Sequence, residues 1–146
     1  MSKKINFEEL VARREQREAD KLKIGELRIP GTDQTLEARM PSKKVVLELY
    51  GELAAAADAH AALRCGNHAL YTVCPQLQDR ALQQEIGTAE DPMSTIDALF
   101  TITERDKLGE QALQFVGLLP PTPPKDKKGD DEDAEQGDTA LDTVKN

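Results

Sequence analysis

His60, Cys65, His68 and Cys74 are the side chains of this sequence able to bind a soft metal or to start nucleophilic chemistry. Their successive gaps of four, two and five residues match no zinc pattern. All four fall in a stretch that reads as one helix, and at about 100° per residue they point in directions spanning most of the circle, so they do not close on one ion. Cys65 and His68, three apart, have the spacing of a thiolate and its base, yet no Gly-rich oxyanion loop and no orienting acid with suitable spacing accompany them. The acidic run GDDEDAEQGD lacks the ligand order, central Gly and closing Glu of a calcium loop. No phosphate-cradling Gly motif and no nucleophile elbow occur. The residues therefore predict a binding protein, not an enzyme, with no metal and no cofactor.

The chain has 146 residues and a formal charge of −8, a length that predicts one domain. Residues 118–146 carry eight acids against four lysines, which is half the net charge in a fifth of the length. An acidic balance offers no electrostatic footprint for nucleic acid or an anionic membrane, because each phosphate contact needs a cation. The start MSKKINFEEL has charges but no apolar signal region, and the two cysteines fit a reducing cytosol. The longest uncharged apolar stretch, LAAAA, is far short of the roughly 20 residues of a membrane span. With no Trp, two Tyr and three Phe, the core must be built mainly from Leu, Ile, Val and Ala.

The elements follow from periodicity. Asn6 with Glu9 three residues on is an Asn form of the capping box, and it opens a helix with Phe7, Leu10 and Val11 on one face. Beyond Val11 the pattern is almost wholly charged, with the favourable pair Arg14–Glu18 and the like-charged, unfavourable pair Arg17–Lys21 at i,i+4 spacing. The cluster Arg13, Arg14 and Arg17 is either a docking surface for an acidic partner or a solvated helix face. Leu27 and Ile29, then Leu36, Ala38 and Met40, alternate with polar residues around PGTDQ, which predicts a hairpin with a bulge at Gly25.

Ser42 caps the next helix, striped by Val46, Leu49, Tyr50 and Leu53. Asp58 caps another, which runs to Pro75 and is interrupted by Gly66 and Asn67, a weakening or a mark of close packing. A short helical piece around Arg80–Glu85 is followed by a helix capped by Asp91 with Pro92 first, whose apolar face is Met93, Ile96, Leu99 and Phe100. A last helix starts at Thr103 and carries Leu108, Ala112 and Phe115 to Gly117. Val46, Leu49, Leu53, Leu70, Leu99 and Phe100 are the expected core. The fold class is α+β, mostly α: an N-terminal helix and β-hairpin, then a compact bundle of about four α-helices. Residues 1–117 form the domain, and 118–146 a disordered, Pro-rich acidic tail that cannot bury enough apolar surface to fold.

This order of elements, with FEELVARREQREADKLK, the hairpin strand ending in RMPS, LYTVCPQLQD, DPMSTIDALF and LGEQALQFVGL, resembles the small tail assembly chaperones of long-tailed bacteriophages. The resemblance covers about residues 6–118, and none of its motifs is catalytic. It implies a protein that binds the long, coiled-coil-prone tape measure protein in the host cytoplasm before the tail tube polymerises, and that is absent from the mature virion. It also implies self-association along that partner. A frameshifted long form of such chaperones contacts the tail tube protein, and the segment after Gly117 would then be its spacer. A long helix with exposed apolar stripes aggregates unless amphipathic helices cover it. On this reading Phe7, Leu10 and Val11, continued by Arg14 and Arg17, are the partner-binding residues. The residues alone leave a second class open, a small cytoplasmic adaptor or antitoxin-like protein using the same helical faces.

Overall fold

In the computed structural model, which describes residues 3–121, the first helix, α1 (Phe7–Asp20), starts at a reciprocal capping box. Asn6 Oδ1 accepts from Glu9 N at 2.8 Å and Glu9 Oε1 accepts from Asn6 N at 2.9 Å, which satisfies two of the four orphan donors at the helix start. No residue of α1 is buried. Its ion pairs are at i,i+3, Arg17 with Asp20 at 2.7 Å and Lys21 with Glu18 at 3.2 Å, so Glu18 pairs with Lys21 and not with Arg14 four residues before it.

Strands β1 (Ile24–Arg28) and β2 (Thr35–Arg39) pair antiparallel, with Leu27 opposite Leu36 and Gly25 opposite Ala38. The period-2 rule puts these four on one face, and Leu27, Leu36 and Ala38 are buried. Thr32 N donates to Ile29 O at 3.2 Å across Pro30 and Gly31, and Gly31 has φ of 78°, the type II turn that Pro-Gly favours. The register passes Gly25 without the expected bulge. Gly25 is instead a close-approach site: a Cβ there would lie 2.9 Å from Phe115 Cε1.

Two glutamines hold the outer edges of this sheet, whose N–H and C=O groups would otherwise have no backbone partner. On the β1 edge, Gln111 Oε1 accepts from Arg28 N and its Nε2 donates to Arg28 O, both at 2.8 Å. On the β2 edge, Gln76 Oε1 accepts from Glu37 N at 2.8 Å.

Helices α2 (Lys43–Ala55) and α3 (Ala59–Val73) are capped by Ser42 and Asp58, as their sequence predicts. A 3-10 turn at Pro75–Gln78 leads into α4 (Arg80–Ile86), then α5 (Ser94–Leu99) and α6 (Ile102–Phe115). The mostly-α, α+β architecture is therefore as expected, with five helices after the hairpin. The core joins α3 and α6 around Leu49, Cys65, Leu70, Val73, Ile96 and Leu108. Gly66 and Gly109 meet at this crossing, where a Cβ on Gly109 would lie 2.8 Å from Gly66 Cα. The break at Gly66 is thus a packing device.

Several expectations change. Leu99 lies 39% exposed, because α5 has only six residues and its inward positions go to Thr95 and Ile96 before the chain turns extended at Phe100. Met93 lies outside that short helix, also exposed. Asp91 does not cap α5: its carbonyl accepts from Ser94 N and Ser94 Oγ in a turn, so the helix starts at Ser94. Tyr50 is 59% exposed, since Leu49 alone in α2 reaches full burial while Val46 and Leu53 are partly buried. The last helix begins with a capping box of Thr101 and Glu104, two residues before Thr103. It ends in a Schellman motif, with Gly117 at φ of 89° and Leu118 N donating to Leu113 O at 2.9 Å. Leu118 and Leu119 pack against the core, so the body extends to Leu119 and not to 117. The remainder of the expected tail, from residue 122, lies outside the described residues.

Candidate partner-binding surface

Residues 7, 10, 11 and 14 repeat at helical i, i+3, i+4, i+7 spacing and so share one face of α1. On that face Phe7 is 76%, Leu10 53% and Val11 41% exposed. An apolar face this open is the informative exception to ordinary surface composition. Arg14 and Arg17 continue the face toward the C-terminal end of α1 and line a cleft of about 960 Å³ between α1, the start of α2 and the end of α6. The structure thus brings all five predicted partner-binding residues onto one helix, in an apolar half and a basic half.

The cleft is anchored by Lys23, whose Nζ donates to Phe115 O at 3.0 Å and lies 4.7 Å from the Phe115 ring centroid. Met40 and Val46 also line the cleft. Asp20 at its edge has its carboxyl held below the usual range, first by a hydrogen bond from Gln16 and then by the Arg17 and Lys23 charges.

Sequence reasoning missed further exposed apolar side chains: Leu22, Ile24, Leu47 and Tyr50. A signal existed for the last two. Leu47 and Tyr50 are i,i+3 neighbours, so α2 carries apolar residues on a second face beside its core stripe. For Ile24 the signal is strand alternation, since it shares the outward face of β1 with Glu26 and Arg28; for Leu22, between α1 and β1, no local signal exists.

The reactive side chains separate. Cys65 and Cys74 are buried, and Cys65 Sγ faces Leu49 O at 3.6 Å. Burial pushes the Cys74 thiol up to about 12, and burial, then the Glu52 charge, raises Cys65. His68 Nδ1 and Glu52 Oε2 lie 2.6 Å apart on the surface, while His60 Nδ1 accepts from Arg64 at 3.1 Å. Glu52 is thus an acid partner of His68 that spacing did not reveal, since it comes from α2, while the Cys65 thiol engages Leu49 O. Among the described residues no three His, Cys, Asp or Glu side chains are placed to hold a metal ion. Nor is any helix among them long and apolar enough to cross a membrane. Comparison with protein-family models, with curated proteins and with solved structures yields no match.

Proposed function

We propose that this chain is a non-catalytic tail assembly chaperone of a long-tailed bacteriophage, which binds the tape measure protein in the host cytoplasm and keeps it soluble until the tail tube forms. The observation that carries the reading is α1: a 14-residue amphipathic helix with no buried residue and with Phe7, Leu10 and Val11 open. Such a helix has an apolar stripe that no surface among the described residues covers. A long partner with heptad-spaced apolar residues offers a complementary stripe, so helix-against-helix packing removes both from water. At about 25 cal/mol per Å² of apolar area, burial of one Phe, one Leu and one Val supports association without any catalytic group.

Co-expression with the largest coiled-coil reading frame of the same genome, followed by affinity purification of this chain, tests the reading. The partner should co-purify in soluble form. Leu10→Glu should abolish co-purification while leaving the thermal unfolding midpoint unchanged, because Leu10 contributes nothing to the core. A partner that stays insoluble beside a lone, folded chain refutes the chaperone function, and unfolding by Leu10→Glu refutes the role given to α1.

A further inference from the structure

On a chain of net charge −8, the cleft beside α1 is a local concentration of positive charge. Arg14, Arg17, Lys21, Lys23 and Lys43 line it, against Glu18 and Asp20. Both carboxylates are already engaged, Glu18 by Lys21 and Asp20 by Arg17. Arg14 and Lys43 make no ion pair or hydrogen bond among the described residues, so cationic capacity remains unspent. Lys43 also sits in the first turn of α2, where no acidic residue offsets the positive end of the helix.

The sequence supplies a complementary segment close by. Residues 130–138, DDEDAEQGD, hold six acids and no cation. Gly117, at the end of α6, lines the cleft itself, and the described chain stops at residue 121. Eight residues lie between 121 and 130, and an extended chain covers up to about 3.3–3.6 Å for each of the nine steps, roughly 30 Å in all. The connecting TPPKDKKG includes Pro123 and Pro124, which favour extended geometry. We infer that the cleft between α1, the start of α2 and the end of α6 seats this chain's own acidic segment, residues 130–138. The inference rests on charge and reach and does not depend on the chaperone reading.

A short tether gives the segment a high effective concentration at the cleft, so individually weak ion pairs suffice. The contact lies against the basic half of α1 and leaves Phe7, Leu10 and Val11 uncovered. It therefore fixes the direction of α1 relative to the body without blocking the apolar face.

Paramagnetic relaxation in the full-length protein tests this. Ala134→Cys carries a nitroxide in the middle of the acidic segment, and Cys65 and Cys74, 1% and 0% exposed, escape labelling. At low ionic strength, amide signals of Lys21, Lys43 and Gly117 should lose intensity while those of α4 keep theirs. The loss should vanish at about 1 M salt, where the screening length is near 3 Å, and in Lys43→Glu. That substitution suits the start of a helix, so misfolding does not account for its effect. Arg14→Glu on exposed α1 is the second variant and should act alike. Broadening that is uniform over the surface, or that survives both variants, overturns the proposal. So does broadening that appears only when nitroxide-bearing chains are mixed with unlabelled, isotopically enriched ones, since the occupant would then be the segment of a second copy.

Discussion

Gly51, Gly66 and Gly109 are all helical glycines, but their surroundings give substitution opposite signs. A Cβ on Gly51 would meet nothing within 4 Å, and the residue sits exposed on α2, so Gly51→Ala should stabilise by about 0.5–1 kcal/mol through helix propensity. Gly109→Ala gains the same propensity and loses more. Its Cβ would meet Gly66 Cα at 2.8 Å, a backbone atom that no rotamer change can move aside. Overpacking of a tight core costs about 1–3 kcal/mol, so the net effect should be destabilising. Urea midpoints of the two variants should move in opposite directions, and a stable Gly109→Ala would show that α3 and α6 are not held at this separation.

Cys74 sets a second residue-scale expectation. Its folded thiol ionises at about 12 against 9.0 for an exposed thiol, because burial disfavours the thiolate. Below pH 9 both folded and unfolded chains keep the proton, and the shift costs nothing. Between 9 and 12 the unfolded chain holds fewer protons than the folded one, so stability falls as pH rises, by up to about 1.4 kcal/mol per pH unit. Thermal melts at pH 8 and 10.5 should show the loss, and Cys74→Ala should reduce that pH dependence while lowering stability at neutral pH through its cavity. An unchanged alkaline slope in the variant would assign the loss to other groups.

At the scale of elements, what could be read in the sequence is what local chemistry decides. Asn6, Ser42 and Asp58 cap the helices they predict, because a cap bond spans only three residues. The hairpin is readable for the same reason: alternation selects one face, and Pro30-Gly31 selects the turn. The misreadings occur where a distant residue decides. Gly25 looks like a bulge until Phe115, 90 positions away, is found against it. Gln76 and Gln111 look like solvated polar residues, yet their amides act as the missing neighbours of a two-stranded sheet. Leu99 fits a helical stripe that the chain abandons at Phe100. The partner-binding candidates on α1 could be placed on a face from spacing alone, but whether that face is covered is a tertiary fact. The exposed Leu22 is legible only once α1 is seen to lie outside the core, whereas the exposure of Ile24 follows from strand alternation.

For the whole molecule, this division has a measurable consequence. The core binds α3, α6 and the inner face of the hairpin into one cooperative unit, while α1 adds no buried residue to it. An isolated helix of about 12–15 residues is marginal in water, so α1 relies on its capping box, its ion pairs and whatever contact the cleft provides. Native-state amide hydrogen exchange should therefore be graded. Central amides of α3 and α6 should exchange only through global unfolding, and those of α1 through local fraying with little protection. Raising the salt should lower α1 protection further, because its exposed ion pairs Arg17–Asp20 and Lys21–Glu18 are screened. Binding of the proposed heptad-rich partner should then raise α1 toward the protection of the body, since burying Phe7, Leu10 and Val11 would couple its opening to release of that partner. Leu10→Glu should leave the exchange of α3 and α6 unchanged in the free protein and prevent the rise in α1. If α1 in the free, monomeric protein is as protected as α3, its apolar face is already covered, and the surface assigned to the partner belongs to the fold.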